Sequence, residues 1–217
     1  MMNRWLCCLV AFAWVAVAPP AAAQSAGFDI EGKYEVLQPA QLTETGDRIE
    51  VVDVFWYGCP HCYTFLPSME AYDAVKPEYV EIRRLPAIFR ENWVAHARAY
   101  YTSEILGVTH KTHRPLFEEI HEHRNPTDQK EALAAFFERQ GVDRTMFEQT
   151  YDSFAVESLV RKSILMQQRY GITGTPSVVV NGKYRVTGRL AGSYNNVIAV
   201  VMALVDREYK AQQGASN

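Results

Sequence analysis

Two cysteines separated by two residues are the most reactive feature of the sequence. Cys59-Pro60-His61-Cys62 follows a β-branched and aromatic run, and the apolar residues after it repeat at helical spacing. Two cysteines three positions apart at the start of a helix lie on one face. They are then close enough to form and to open a small disulfide ring.

The start of a helix also supplies charge stabilisation for one of the two sulfurs. Unpaired amides and the positive end of the helix dipole favour a thiolate at Cys59, and Pro60 suits the first helical position. A hydrogen bond or positive charge from His61 would stabilise that thiolate further. Such stabilisation favours the reduced pair and makes its disulfide a strong oxidant.

Other interpretations of the pair are a structural staple, half of a zinc site, or inert free thiols. So short a loop gains little stability under the chain-entropy account. Zinc needs two further ligands, and the remaining candidates are histidines on predicted helices, where we expect them to be solvated. We therefore expect no metal and no cofactor; the histidines are His110, His113, His121 and His123.

An acidic residue precedes the pair in an unusual setting. Asp53 lies six residues before Cys59, inside an otherwise apolar run, where a carboxylate is costly unless it has a partner or a task. Burial would raise its pKa and make it a candidate to accept and return the proton of Cys62. An ordinary acid at a solvated strand position is the alternative.

The amino terminus has the pattern of a secretory signal peptide. A basic start, an uncharged apolar run over residues 5–18 and small residues ending at Ala23 predict cleavage there, so that residues 1–23 are removed. The run is shorter than the roughly 20 residues of a membrane span. An uncleaved anchor is the alternative. Cleavage would leave Cys59 and Cys62 alone in an exported, oxidising compartment.

The composition excludes several classes of protein. The chain has 217 residues, of which 48% are hydrophobic and 22% charged, so it can bury a core without disulfides. Its formal net charge of -3 lacks the basic excess of a general nucleic-acid binder. Four cysteines, two of them in the expected signal peptide, do not form a disulfide scaffold.

The rest of the pattern predicts an α/β protein. Strands at residues 33–37, 49–56 and 79–85, with a helix after Cys59, indicate a βαβ unit and a parallel strand pair. A hairpin with an Asn181-Gly182 turn and a last helix over residues 194–209 follow, and we expect the polar end, residues 212–217, to be frayed. Between these parts we expect only helices, at residues 92–106, 113–123, 128–140 with Thr127 as cap, 143–151 and 156–170.

A mixed central sheet interrupted by an all-helical insertion is the simplest architecture for this order of elements. We expect one domain formed by residues 24–91 and 172–217, with residues 92–171 inserted as a helical domain. The last hairpin would complete the sheet that the first strands begin.

Several motifs together resemble the DsbA family of periplasmic thiol-disulfide oxidoreductases, which have a thioredoxin-like fold. The similarity runs from about residue 33 to residue 209. Its motifs are the signal peptide, Asp53, Cys59-Pro-His-Cys62-Tyr-Thr-Phe65, a helix kink at Pro67, the helical insertion, and Gly174-Thr175-Pro176 before Val-Val-Val-Asn-Gly-Lys-Tyr184.

The resemblance implies a role for each site residue. Cys59 would be the exposed nucleophile and Cys62 the resolving thiol. Pro176 would be a cis-proline facing them, although spacing alone favours trans, and Thr175 would offer its backbone to an extended substrate segment. Members of the family often have glutamate where this chain has Asp53, so the proton path would be altered by the shorter side chain.

The leading hypothesis is a periplasmic dithiol oxidase that donates its disulfide to newly exported proteins with free thiols. The family implies a quinone-linked membrane partner of DsbB type that reoxidises it. We expect a monomer, because too few residues precede Cys59 for the dimerisation domain of periplasmic isomerases of this fold. An isomerase or reductase is the nearest alternative. A non-enzymatic peptide-binding module is another, with a groove lined by Trp56, Phe65, Phe89 and Trp93.

Overall fold

The computed structural model describes residues 29–215, so the expected signal peptide lies outside the described residues. Five strands in this range form one mixed sheet with the order β1-β5-β4-β2-β3. The strands are β1 (Glu35–Val36), β2 (Ile49–Phe55), β3 (Val80–Pro86), β4 (Ser177–Val180) and β5 (Tyr184–Thr187).

Helices surround this sheet and fill the middle of the chain. A short 3-10 helix, Glu91–Trp93, leads into the second α-helix. In chain order the α-helices are α1 (Pro60–Val75), α2 (Val94–Ile105), α3 (Thr109–His121), α4 (Lys130–Arg139), α5 (Arg144–Tyr151), α6 (Phe154–Arg169), α7 (Gly188–Ala191) and α8 (Tyr194–Ala215).

Strand β2 is an inner strand of the sheet, between β4 and the edge strand β3, and all seven of its residues are buried. It pairs in parallel with β3 and antiparallel with β4, which confirms the predicted βαβ unit and mixed sheet. Its register places Asp53 opposite Arg84 of β3 and Val178 of β4. A charged residue at this position therefore lies between two neighbouring strands, away from either edge of the sheet.

The predicted hairpin of β4 and β5 is also confirmed. Asn181 and Gly182 both have positive φ, 50° and 63°, as the tight turn between two twisted strands requires. A Cβ on Gly182 would lie 2.1 Å from the carbonyl oxygen of Gln41, so a larger residue there would displace the backbone that crosses the turn.

Three expectations about helix ends were wrong. Helix α3 begins at Thr109, four residues before the predicted start, directly after the positive-φ turn at Gly107. Thr127 does not cap α4; it has φ 41°, and its hydroxyl donates to the Asn125 carbonyl. Helix α8 continues past Tyr209 to Ala215, since no proline interrupts the sequence there.

The predicted insertion, residues 92–171, holds α2 to α6 and no strand within the described range. The domain boundaries themselves stay a prediction. None of the helices in residues 29–215 is long and apolar enough to cross a membrane.

Three apolar clusters hold the elements together, and one of them contains the cysteine pair. Helices α1 and α8 cover one face of the sheet, and residues of α6 pack on the other with Tyr170 and Ile172. The third cluster joins the end of β2 and the cysteines to α2, α3, α4, α5 and α6. Cys59 and Cys62 therefore lie where the sheet meets the helical segment.

A buried carboxylate on α8 forms hydrogen bonds that hold the β4–β5 hairpin against the helix. The Glu208 side chain is 4% exposed and accepts hydrogen bonds from Asn181 Nδ2 at 2.6 Å, Lys183 Nζ at 2.6 Å and the Tyr184 hydroxyl at 3.0 Å. Burial by itself would raise the pKa of Glu208, but these three donors outweigh it and hold the pKa below its usual value.

We expect Glu208→Gln to lower the free energy of unfolding by about 1–2 kcal/mol at pH 7, because it removes the charge that Lys183 pairs with. Since the folded pKa is depressed, this contribution is present above the unfolded value of about 4.3 and is lost as pH falls through the folded pKa. Urea unfolding at pH 7 and at pH 3 measures both effects.

Glu31→Gln, which breaks an exposed pair with Arg207, is the matched control and should change stability by less than about 0.5 kcal/mol. Equal losses in the two variants would contradict the prediction.

Candidate active site

A sharp turn between β2 and α1 places the first cysteine at the helix start. Cys59 is the N-cap of α1, and its backbone N–H donates to the Trp56 carbonyl at 3.0 Å. A Cβ on Gly58 would lie 2.3 Å from the Trp56 ring, so the turn requires glycine there. The Trp56 ring stacks on Trp93 with centroids 3.8 Å apart. The Trp56 ring thus packs against Gly58 and Trp93, and this packing fixes the turn that carries Cys59.

The structure holds Cys59 and Cys62 as free thiols on the first turn of α1. The loop before β4 closes over them: the Cys59 sulfur lies 3.5 Å from the carbonyl oxygen of Thr175. The Thr175–Pro176 peptide bond is cis, and Pro176 lines a small cavity beside Cys62. The two residues expected to contact substrate therefore lie next to the cysteine pair.

The pKa values of the two thiols are shifted in opposite directions. A hydrogen bond from Cys62 is the largest influence on the pKa of Cys59, and the backbone amides of Cys62 and His61 add to it. Together they lower that pKa to about 5 against the effect of burial. Burial raises the pKa of Cys62 well above its usual value, and the hydrogen bond and charge of Cys59 raise it further. At neutral pH the reduced pair therefore holds one proton, on Cys62.

The two residues between the cysteines, Pro60 and His61, act on the Cys59 thiolate mainly through their backbone. Pro60 is the first residue of α1 and is exposed, as the sequence predicts. His61 reaches the Cys59 thiolate through its backbone N–H, whereas its exposed ring lies near Tyr194 with centroids 5.9 Å apart. The expected contribution of the His61 ring is thus replaced by that of its amide.

Asp53 is buried behind the pair, with 4% of its surface exposed. Its Oδ1 atom has no hydrogen-bond partner among the described residues. Burial raises the pKa of Asp53 to about 6, while the guanidinium of Arg84 opposes the rise. Asp53 and Cys62 line the same cavity of about 10 Å³, which places a carboxyl of near-neutral pKa beside the interior thiol.

One histidine does not lie where the sequence analysis placed it. His113 was expected on a solvated helix face, but it is 5% exposed and lines the cavity with Asp53. On α3, His113 shares a helix face with the buried Leu116 and Phe117, which lie three and four positions further along. This spacing lies within the predicted helix 113–123 and is the sequence signal that indicates a buried position for His113.

The other three histidines are spread over the surface of α3 and its end. His110 and His123 are exposed, and His121 Nε2 lies 2.8 Å from the Tyr57 carbonyl oxygen. In residues 29–215 no three His, Cys, Asp or Glu side chains are grouped as metal ligands. The absence of a metal and of a cofactor stays a prediction.

A Cys-x-x-Cys pair at a helix start, faced by a cis-proline loop on a mixed sheet, defines a thiol-disulfide oxidoreductase of thioredoxin-like fold. Residues 50–193 match the family model of the DSBA-like thioredoxin domain. The chain therefore belongs to the DSBA-like thioredoxin-domain family, which confirms the resemblance found in the sequence.

Individual relatives agree with this assignment. The chain is 41% identical to the thiol:disulfide interchange protein DsbA of Azotobacter vinelandii over 165 residues, covering 76% of this chain and 77% of that protein. It is 37% identical to the Pseudomonas aeruginosa protein of the same name over 191 residues, covering 88% and 90%. The crystal structure of Pseudomonas aeruginosa DsbA superposes with a TM-score of 0.81 at 36% identity, covering 84% of this chain and 95% of that one.

The hydrogen bond between the two thiols yields a direct prediction about acidity. Cys62→Ala removes the donor, so the Cys59 pKa should rise from about 5 by about one pH unit or more. Cys62→Ser keeps a hydroxyl donor and should raise it less. Thiolate absorbance at 240 nm during a pH titration measures both variants. An unchanged midpoint in Cys62→Ala would show that the helix amides alone stabilise the thiolate.

Proposed function

We propose that this chain oxidises pairs of thiols in other proteins by passing them the Cys59–Cys62 disulfide. It is a thiol-disulfide oxidoreductase by family. The observation that carries the direction of transfer is the low pKa of Cys59 beside the high pKa of Cys62. A thiolate stabilised in the reduced form makes that form the favoured product, so the disulfide gives up its oxidising equivalents readily.

The exchange proceeds in two displacements. A substrate thiolate attacks the Cys59 sulfur, the Cys59–Cys62 bond breaks, and its electron pair passes to Cys62, which takes up a proton. A second substrate thiolate then attacks the substrate sulfur of the mixed disulfide and releases Cys59 as a thiolate. Two electrons have passed from the substrate dithiol to the enzyme, and the substrate carries the new disulfide.

Asp53 supplies and removes the proton of Cys62. The two groups line one cavity, and the pKa of Asp53, raised to about 6 by burial, lies near neutral pH. A carboxyl with such a pKa exchanges protons in both directions at small cost. Asp53 therefore protonates Cys62 as it leaves and deprotonates it when the enzyme is reoxidised.

Thr175 and Pro176 present the substrate to Cys59. The carbonyl oxygen of Thr175 is 3.5 Å from the Cys59 sulfur, and an open groove lined by Thr175, Pro176, Arg189 and Tyr194 continues from it. An extended segment that pairs with the Thr175 backbone would bring its own cysteine to Cys59. Backbone pairing of this kind accepts many sequences, as an oxidase of unfolded proteins needs.

The family supports a cellular role for this chemistry. The substrates are newly exported proteins with free thiols, and the enzyme acts as a monomer in the periplasm after cleavage near Ala23. A quinone-linked membrane protein of DsbB type restores the Cys59–Cys62 disulfide. Relatives named thiol:disulfide interchange protein DsbA, at 37% and 41% identity, support this role.

Replacing each cysteine with serine separates the two roles. We expect Cys59→Ser to oxidise a reduced, unfolded protein no faster than the uncatalysed rate, because the attacked sulfur is missing. Cys62→Ser should also lose oxidase activity, yet it should form a stable mixed disulfide through Cys59 when offered a substrate disulfide, since the thiol that would break it is missing.

Thiol titration of the substrate measures oxidation, and non-reducing electrophoresis followed by mass spectrometry identifies the adduct. The double variant, with both cysteines replaced by serine, is the control and should form no adduct. Oxidation by Cys59→Ser at the rate of the unsubstituted protein would contradict the mechanism. Persistent peptide binding by the double variant, together with no redox phenotype in cells that carry it, would favour a binding module.

A further inference from the structure

His113 is a buried titratable residue that the exchange reaction does not use. It lies on α3 and packs against the end of β2, with its ring edge-to-face against Phe55 at 5.0 Å between centroids. Burial, with help from the positive charges of Arg84 and Arg114, lowers the pKa of His113 well below its usual value. The ring is therefore neutral at physiological pH and carries one proton.

Tyr57 decides which ring nitrogen carries that proton. The Tyr57 hydroxyl is 2.9 Å from His113 Nδ1, and within residues 29–215 this is the hydrogen bond that the buried hydroxyl makes. A phenol without another acceptor donates, so Nδ1 accepts. In a neutral imidazole the proton then lies on Nε2, which makes Nε2 a donor.

His113, which carries this donor, and Asp53, which carries an acceptor, line the same small cavity. Among the described residues, His113 Nε2 and Asp53 Oδ1 are both buried and without a hydrogen-bond partner. Both residues line the cavity of about 10 Å³ with Cys62. Tyr57, which binds the Nδ1 edge, does not line it, so the Nε2 edge is the one turned to the cavity. The remaining lining residues are Phe55, Phe65, Leu66, Phe117 and Pro176.

The size and chemistry of the cavity fit one water molecule. A single water needs roughly 10–15 Å³ and two to four polar partners. His113 Nε2–H, Asp53 Oδ1 and the Cys62 thiol are three such partners in a cavity that is otherwise apolar. Buried polar atoms in proteins are almost always paired, and one water beside Cys62 would pair both His113 Nε2 and Asp53 Oδ1.

We propose that His113 is a positioning residue for the proton path between Cys62 and Asp53. The inference rests on the proposed function, because it assigns His113 to the proton step of that reaction. His113 Nε2–H donates to the water oxygen, and one water O–H points at Asp53 Oδ1. In the mixed disulfide Cys59 is no longer a thiolate, so the Cys62 S–H turns from it and donates to the same water oxygen. His113 thus fixes the orientation in which the water can pass a proton.

The transfer conserves atoms and charge. The S–H bond of Cys62 breaks with its electron pair left on sulfur, and the proton joins the water as another water proton passes to Asp53. When Cys62 leaves the disulfide, the same steps run in reverse, and Asp53 returns to the carboxylate. His113 keeps its proton on Nε2 throughout.

A donor that reaches the carboxylate through this water favours its ionised form, so loss of the donor raises the Asp53 pKa. The charged and titratable groups around Asp53 are Arg84 on β3, Cys62 on α1 and His113 on α3. Its neighbour on β4, Val178, carries no charge. A substitution at His113 alone leaves the effects of Arg84 and Cys62 on the Asp53 pKa in place.

Two substitutions of His113 separate its two nitrogens. His113→Asn places a polar atom near the position of Nδ1, for Tyr57, and lacks one near Nε2. His113→Gln places its amide N–H near the position of Nε2 and loses the partner of Tyr57. Carbon-13 NMR of reduced full-length protein labelled at aspartate Cγ follows the protonation of Asp53, with Asp53→Asn identifying the resonance.

We expect the Asp53 midpoint in His113→Asn to rise by about one pH unit above that of the unsubstituted protein. His113→Gln should restore it to within a few tenths of a unit. An unchanged midpoint in His113→Asn overturns the proposal. A rise of equal size in both variants also overturns it, because it would report lost packing instead of a lost donor.

A measurement without substitutions keeps the test valid even where a variant misfolds. Nitrogen-15 NMR of the unsubstituted reduced protein distinguishes the tautomers, and the proposal requires the proton of His113 on Nε2. A proton on Nδ1 contradicts it. The oxidase assay of Cys59→Ser judges the proposed function separately, and the rate of Asp53→Asn judges the role of Asp53. Failure in either assay leaves the His113 measurements interpretable.

Discussion

The hydrogen bond from Cys62 to Cys59 at the first turn of α1 is the interaction on which the rest of the site depends. It separates two chemically identical groups into one thiolate and one thiol, with pKa values moved in opposite directions. The fold supplies the conditions for this separation. The glycine turn packed under Trp56 fixes Cys59, the start of α1 supplies amides, and the apolar cluster around the end of β2 buries Cys62. Reduction of the disulfide by a substrate produces this stabilised thiolate.

Burial has a second effect, because the proton that remains on Cys62 must move through an apolar interior. The same exclusion of water that raises the Cys62 pKa also raises that of Asp53 to about 6 and keeps His113 neutral. One small cavity therefore brings together a proton donor, a proton acceptor and an uncharged imidazole. In this interior Asp53 becomes a weak enough acid to serve the reaction in both directions.

Local sequence signals predicted most of the frame of the site, since they act over a few residues. The seven-residue buried run of β2, the proline after Cys59 and the Asn181-Gly182 turn each specify their own geometry. The raised pKa of Asp53 also follows from its place in an apolar strand. His113 was missed because polar side chains on helices usually face solvent, and this expectation was given more weight than its spacing from Leu116 and Phe117. Its contact with Tyr57 joins residues far apart in the chain, which periodicity cannot reveal.

The reduced pair holds a single proton at neutral pH, and the pH dependence of its reduction potential measures that proton count. Equilibration with glutathione between pH 4 and pH 9 gives the potential of the Cys59–Cys62 disulfide. If Cys59 is a thiolate above pH about 5, the two-electron reduction takes up one proton there. The potential should then fall by about 30 mV per pH unit above that point and by about 59 mV per pH unit below it. A slope of about 59 mV per pH unit up to pH 8 would contradict the account, because it would mean that both thiols remain protonated.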